Sequence, residues 1–259
     1  YKGITVRKSK QLNAFVHHMG YVFKNDEEKK KKYKRNGELL EQECLEKPDN
    51  MRLWHQYAVN FWCIEDWDRS VQVCKKVIKK ENNSPYWDML HTDLLYSLSM
   101  QNNWDESIDT CKEFLNKTLY PYENFGVRQF LVQAYFNKQQ FHNICEIAQK
   151  VINTYRYYKR QPNEFEEGRL GGNIYFGEEN IGRMLMHIMV SAIHERESSV
   201  AKLLCNEEIR AELEALSVND DLSRHLVGYV LQYGTGKIYE VFLDNYSFLK
   251  ELLRNSRYY

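Results

Sequence analysis

The sequence contains few residues that interrupt helices and carries no excess charge. Four of its 259 residues are proline and twelve are glycine, and this scarcity favours a mostly helical chain. Lysine plus arginine and aspartate plus glutamate both number 36, so no overall field attracts nucleic acid or an anionic membrane. With 43% apolar residues, the composition indicates a globular all-α protein with a hydrophobic core and no nucleic-acid partner.

Long apolar runs, a secretory signal and paired cysteines are absent as well. No stretch of eighteen apolar residues occurs, so we expect no membrane span. No two of the six cysteines form a C-x-x-C pair, and most fall where a helix would bury them. They indicate small core thiols in a reducing compartment, and we expect a cytoplasmic protein. The first residue is Tyr1 and not methionine, which suggests a piece of a longer polypeptide.

A repeat of 37 residues runs through residues 50–153. Trp67, Trp104 and Phe141 lie at this spacing, and each tryptophan is followed at once by an aspartate and, three residues after the tryptophan, by a serine. Three prolines keep nearly the same spacing, at Pro48, Pro85 and Pro121. A residue without an N–H ends one helix and permits the next to begin. The period predicts stacked supersecondary units, each of which buries its apolar face against a neighbour.

The columns of apolar and small residues inside each unit resemble the tetratricopeptide repeat with a few residues added between units. In the first unit these columns hold Trp54, Tyr57, Ala58 and Phe61, then Trp67, Ser70, Cys74 and Val77. Leu95, Val132 and Ile144 stand where the family prefers a small residue, which leaves the packing angle of later units open. The resemblance implies an all-α solenoid of antiparallel helix pairs, with about three clear repeats and a degenerate helical continuation.

The sequence divides into five regions. They are a strand remnant (1–22), a linking helix (23–48), three repeats (49–160), a loop (161–177) and a helical continuation that caps the solenoid (178–259). The strand is predicted from a short apolar run ended by Gly20, and it has no sheet partners within the chain. The loop is rich in glycine, and its role stays open. A new helix is predicted to begin near Glu178.

A second resemblance joins the first two regions. The segment His17-His18-Met19-Gly20-Tyr21, the later pair Arg35-Asn36 and the dipeptide Pro48-Asp49 resemble the junction in bacterial family 2 glycosyltransferases that carry tetratricopeptide repeats. The resemblance implies that residues 1–22 end a nucleotide-sugar-binding domain. It also implies a parent enzyme that transfers a sugar from a nucleoside diphosphate donor with a divalent metal, which His18 would help to hold. A histidine at a strand end without any metal is the alternative.

We expect no catalytic residue and no cofactor within this chain. The nucleotide-binding strands of the transferase family have no counterpart in the sequence. The one sequence match to that family's D-x-D metal motif is Asp66-Trp67-Asp68, which is predicted to lie in a turn between helices. The divalent metal and the nucleotide sugar therefore belong to the parent enzyme that the resemblance implies.

The inner face predicted for the solenoid offers a binding surface. In the tetratricopeptide family the first helix of each pair lines the concave side. The corresponding columns in this chain hold Arg52, His55, Trp62, Thr92, Tyr96, Gln129, Gln133 and Asn137. These polar and aromatic side chains suit an extended peptide more than a small apolar ligand. We expect a protein or peptide partner, such as the acceptor polypeptide of the transferase, or a second copy of the chain in a homo-oligomer.

Two other interpretations stay open. The chain fits a free-standing tetratricopeptide scaffold or adaptor without enzymatic activity, and an encoded transferase domain upstream of Tyr1 would decide against that interpretation. A nucleic-acid adaptor would use the basic residues 29–35 and the basic and aromatic cluster at residues 155–160. A solvated helix face and an ordinary helix end explain the same two clusters without a ligand.

Overall fold

The computed structural model describes residues 23–80, 84–117, 121–160, 178–216 and 237–246, together with residue 250. Within these ranges every regular element is an α-helix, so the predicted all-α class is confirmed there. None of these helices is both long enough and apolar enough to cross a lipid bilayer. The predicted strand remnant, with His18, and the predicted loop at residues 161–177 lie outside the described residues.

Five of the helices begin at the prolines and aromatic residues that repeat in the sequence. In chain order they are α1 (Asp26–Glu46), α2 (Met51–Trp62), α3 (Trp67–Ile78), α4 (Pro85–Met100), α5 (Trp104–Leu115), α6 (Pro121–Asn137), α7 (Phe141–Arg160), α8 (Glu178–Glu195), α9 (Ser198–Leu204), α10 (Glu207–Leu216) and α11 (Lys237–Asn245). Pro85 and Pro121 open α4 and α6. Proline suits this position because the N–H that it lacks would have no partner inside the helix.

The helices pack as a series of hairpins. Helix α2 packs on α3, α4 on α5, α6 on α7 and α8 on α9. The first helices of these hairpins, α2, α4, α6 and α8, contact one another in that order and form an inner layer. Each of α4, α6 and α8 also packs against the second helix of the hairpin before it. This arrangement is consistent with the predicted helical solenoid. At one end α1 covers α2, and at the other α10 packs on α8 and α11 on α9.

The same turn closes all four hairpins. Its central residue has a left-handed backbone, with φ of 59°, 55°, 56° and 58° at Glu65, Asn102, Gln139 and Arg196. In the first turn the N–H of Asp66 donates to the carbonyl of Phe61 over 3.0 Å, and the three other turns contain the equivalent bond. This pattern is the Schellman motif, which satisfies carbonyl groups at a helix end. The hairpin of α8 and α9 therefore continues the array beyond the point where the sequence period stops.

Small buried residues allow the helices to approach closely. Ser70 and Ser107 occupy equivalent positions in α3 and α5, and both are buried. Cys74 and Cys111 follow one turn later and expose no surface. Phe114, on α5, is also without exposed surface, and burial of a side chain of this size contributes about 2 kcal/mol. The spacing of 37 residues thus brings the same small residues to the packing contacts of the first two hairpins.

A glycine positions α1 against the first hairpin. The side-chain amide of Asn60 donates a hydrogen bond to the carbonyl of Tyr33 over 2.9 Å. A Cβ atom on Gly37 would lie 3.0 Å from the Asn60 nitrogen, closer than carbon and nitrogen pack without displacement. Because Gly37 has no side chain, α1 can lie directly over α2. Cys44, two turns further along the same face of α1, is also fully buried.

Candidate binding site

A cavity of about 460 Å³ opens on the inner layer. Helices α2, α4, α6 and α8 all contribute to its wall. Five of the eight residues that the sequence predicts for binding line it, namely Trp62, Thr92, Tyr96, Gln129 and Gln133. They meet because Thr92 and Gln129, and likewise Tyr96 and Gln133, lie 37 residues apart and so occupy equivalent positions on adjacent helices. A volume of this size falls in the range of small-ligand sites.

Aromatic rings form one wall of the cavity. The ring of Tyr96 is 38% exposed, and its centroid lies 4.7 Å from that of Trp62 and 5.8 Å from that of Trp67. The indole N–H of Trp62 donates to the hydroxyl oxygens of Ser70 and Ser97 over 3.0 and 3.1 Å. These bonds fix the Trp62 ring and occupy its polar atom. The wall therefore offers a ligand aromatic surface and the Tyr96 hydroxyl.

Polar side chains face the aromatic wall. The hydroxyl of Thr92 donates to the carbonyl of Met89 over 2.8 Å and keeps its oxygen lone pairs as acceptors. The side-chain amide of Gln133 and the hydroxyl of Tyr96 make no hydrogen bond with any residue that the structure describes. Both groups are thus available to a ligand in the cavity.

Helix α8 supplies the far wall, which the sequence did not predict. Asn180, Arg183, Met184 and His187 share one face of α8 and line the cavity. The imidazole of His187 stacks on the Phe136 ring with centroids 3.9 Å apart. Burial, reinforced by the charge of Arg183, lowers the pKa of His187 to about 3. The imidazole is therefore neutral at pH 7, with one nitrogen that donates and one that accepts.

Three predicted residues lie away from the cavity. Arg52 is exposed in the first turn of α2, and Asn137 is exposed at the end of α6, where its amide donates to the carbonyl of Gln133 over 2.9 Å. His55 holds the carboxylate of Asp93, with 2.7 Å between Nδ1 and Oδ2. Asp93 lies in the core, 3% exposed, so this pair ties α2 to α4. His55 therefore belongs to the packing of the inner layer and not to the cavity.

The His55 and Asp93 pair has shifted pKa values. Burial raises the pKa of Asp93, and the charge of His55 offsets part of that effect. Burial by itself would lower the pKa of His55, but the negative charge of Asp93 and the hydrogen bond to it outweigh burial and raise the pKa. The imidazole therefore stays protonated to higher pH than a free histidine.

Within the described ranges no metal centre is found, and the thiols of Cys44 and Cys145 have raised pKa values. No group of three histidine, cysteine, aspartate or glutamate residues in them could hold a metal ion. Burial raises the pKa of Cys44 to about 11 and that of Cys145 to about 12, and nearby carboxylates add to both shifts. These thiols stay protonated at neutral pH and are poor nucleophiles and metal ligands.

Both carboxylates of the Asp66-Trp67-Asp68 segment have structural partners. Asp66 accepts a hydrogen bond from the backbone N–H of Arg69 over 3.2 Å and caps α3. Asp68 accepts one from the side-chain amide of Gln101 over 2.6 Å, across the contact between the first two hairpins. Asp66 thus ends the turn before α3, whereas Trp67 and Asp68 lie in the first turn of that helix, so only Asp66 has the expected position in a turn between helices.

The basic and aromatic cluster at the end of α7 is engaged in packing. Tyr155 is buried, and its ring lies 6.1 Å from that of Phe125. Arg156 and Arg160 donate to the same carboxylate oxygen of Glu208 over 3.0 and 2.8 Å. Because Glu208 neutralises part of their charge, the cluster is less suited to a phosphate backbone. The lysine-rich face of α1, with Lys30, Lys31, Lys34 and Arg35, is exposed.

No protein-family model, no curated protein and no solved structure matches the chain. The two resemblances therefore rest on the sequence motifs quoted above.

Proposed function

We propose that the chain is a non-catalytic helical-repeat module of the tetratricopeptide kind, which binds an extended segment of a partner polypeptide along its inner layer. One observation carries the proposal: five side chains chosen from the repeat columns line one cavity, which α8 closes on the far side. The cavity offers aromatic surface from Tyr96 and Trp62 beside the unpaired amide of Gln133. Aromatic anchors next to amide donors and acceptors suit a peptide that carries both apolar side chains and a polar backbone.

A double substitution tests this proposal. The chain is first used to select binders from a library of random peptides. Tyr96→Ala combined with Gln133→Ala should abolish binding of the selected peptides and leave the melting temperature nearly unchanged, because neither side chain holds the core together.

The matched control replaces one tyrosine and one glutamine elsewhere. Tyr157 and Gln149 are exposed on α7 and line no part of the cavity. Tyr157→Ala with Gln149→Ala should leave peptide binding unchanged. Binding that survives the inner-layer double substitution would show that the peptide binds to another face of the chain.

We also propose that the module serves a family 2 glycosyltransferase in the cytoplasm, where it recognises the acceptor polypeptide. The support is the junction motif around His18 and Arg35-Asn36, together with six free cysteines that suit a reducing compartment. Expression of the full open reading frame tests this, because the product should transfer sugar from a nucleotide donor with a divalent metal. A reading frame without such a domain would instead leave a free-standing scaffold. Calorimetric titration of the present chain should show no micromolar affinity for a nucleotide sugar.

A further inference from the structure

The composition of the cavity wall restricts what can occupy it. Ring faces come from Trp62, Tyr96 and Phe130, while the polar lining consists mainly of amides, hydroxyls and the neutral imidazole of His187. Among the described residues that line it there is no carboxylate, and Arg183 carries the one fixed charge. Within this described lining a lysine or arginine side chain would meet no counter-charge and would lose its hydration. The described side chains therefore disfavour a cationic occupant.

A purely apolar occupant is also disfavoured. It would cover the amide of Gln133, the hydroxyl of Tyr96 and the imidazole of His187, and would leave them without hydrogen-bond partners. Each buried polar group left unpaired weakens binding roughly tenfold or more. The occupant must therefore present several hydroxyl or amide groups to the polar side and a nonpolar surface to the rings.

The size of the cavity permits such an occupant. Its volume of about 460 Å³ lies within the range of sites that enclose small ligands. A pyranose ring has the required shape and polarity. Its axial C–H bonds form an apolar face that stacks on an aromatic ring, and its equatorial hydroxyls both donate and accept around the edge.

We infer that the cavity binds an uncharged sugar residue, stacked on Tyr96 and held at its hydroxyls by Gln133 and His187. Gln133 can donate and accept with one amide, and the neutral imidazole of His187 can do the same with its two nitrogens. The inference deepens the proposed function, on which it rests for the source of the sugar: the residue is attached to the bound polypeptide. The module then favours an acceptor that already carries a sugar.

Two methionines give a direct readout of occupancy. Met100 and Met184 line the cavity from α4 and α8, whereas Met51 is buried at the start of α2 and lines no part of it. The chain, labelled with ¹³C at the methionine methyl groups, is titrated with the methyl glycosides of glucose, galactose, mannose, N-acetylglucosamine and N-acetylgalactosamine. At least one should shift the Met100 and Met184 signals with a dissociation constant on the order of 1 mM and leave Met51 unmoved.

A pair of glutamine variants locates the binding. Gln133→Ala should weaken the titration at least about tenfold, the loss of one or two hydrogen bonds. Gln42→Ala, at an exposed position on α1, should leave it unchanged. Alanine favours a helix at both positions, so both variants should keep the fold.

Three results would overturn the inference. They are no shift of Met100 and Met184 by any glycoside at about 50 mM, an equal affinity in Gln133→Ala and the parent chain, and shifts caused by N-acetyltryptophanamide where every glycoside fails. The peptide selection described above is read separately. Peptide binding without sugar binding would retain the proposed function and reject this inference.

Discussion

At the scale of single residues, the side chains of the inner layer fall into two groups. Some stabilise the fold, and others face the cavity. His55, Thr92 and Gln129 occupy one repeating column, but their surroundings differ. His55 is held by Asp93 at 2.7 Å, whereas Thr92 and Gln129 line the cavity. The buried carboxylate of Asp93 explains the difference, since a negative charge in the core requires a partner. A column position alone therefore does not tell whether a side chain is available to a ligand.

The His55 and Asp93 pair makes stability depend on pH. The pKa of His55 is raised above 6.5 by folding, so its contribution is complete below pH 6.5 and falls as pH rises through the higher folded value. We predict that His55→Ala lowers the free energy of unfolding by about 3 kcal/mol at pH 6, because Asp93 is left buried without its partner. Urea unfolding should show a smaller loss at pH 9.

An exposed histidine provides the control for this measurement. His142 pairs with Glu146 at 3.4 Å, and both side chains are more than 60% exposed. His142→Ala should change stability little at either pH, because exposed pairs are screened by water. A His55→Ala loss that grows between pH 6 and pH 9 would contradict the assigned protonation.

At the scale of elements, the 37-residue period locates the first three hairpins but not the turn of the fourth. Trp67, Trp104 and Phe141 open the second helices, because the same turn precedes each of them. The fourth turn, at Arg196, comes 57 residues after its equivalent Gln139, and the regular period therefore fails to locate it. The cavity wall supplied by α8 was missed for that reason. The fourth turn is recognised by its backbone angles, which the sequence does not show.

The repeat columns predict which side of each helix faces inward, but they do not predict where along the helix the cavity lies. Arg52 and Asn137 lie on the inner layer near helix ends, beyond the reach of the cavity. Their distance from it depends on where the cavity lies along the helices. The position of the cavity is set by the contact with α8. The repeat alone therefore could not show that Arg52 and Asn137 lie outside the cavity.

The hairpin turns are the elements in which a single change should add stability. Gln139 has φ of 56°, a conformation that costs a residue with a Cβ roughly 1 kcal/mol and that glycine adopts freely. We predict that Gln139→Gly raises the free energy of unfolding by about 0.5–1 kcal/mol in urea titrations.

The next residue along the chain is the matched control. Gln140 is not among the residues with positive φ, and its side chain accepts a hydrogen bond from Asn143 over 3.1 Å. Gln140→Gly should therefore destabilise the chain by a similar amount. If the glycine at position 139 were the more harmful of the two, the Schellman assignment of these turns would be wrong.

At the scale of the whole molecule, each hairpin contacts mainly its neighbours among the helices that the structure describes. The inner helices touch in series from α2 to α8, and α10 packs on α8 and α9. Stability in such an array is close to a sum of local terms, so that one end can open while the other stays folded. The cavity spans α2 to α8, and a ligand bound there would connect hairpins that otherwise interact only pairwise.

Glu208 offers a test of this local behaviour. Burial alone would raise the pKa of Glu208, but its hydrogen bonds to Arg156 and Arg160 outweigh burial and lower it. Its contribution is therefore present above pH 4.5 and is lost as pH falls through the lower folded value. We predict that Glu208→Gln at pH 7 speeds hydrogen exchange in α10 about tenfold, because two charge-assisted bonds are weakened. Exchange in α2 to α5 should not change.

Glu146→Gln is the appropriate comparison, since Glu146 is exposed on α7 and pairs only with the exposed His142 among the described residues. It should alter exchange in neither region, because a solvated pair contributes little.

Faster exchange in α2 to α5 after Glu208→Gln would mean that the array unfolds as one cooperative unit. The cavity would then be rigid before any ligand arrives, because opening at α10 would be tied to opening of the helices that line it. Local opening confined to α10 instead leaves α8 held by α6 and α7, so the cavity wall persists while the end of the array frays.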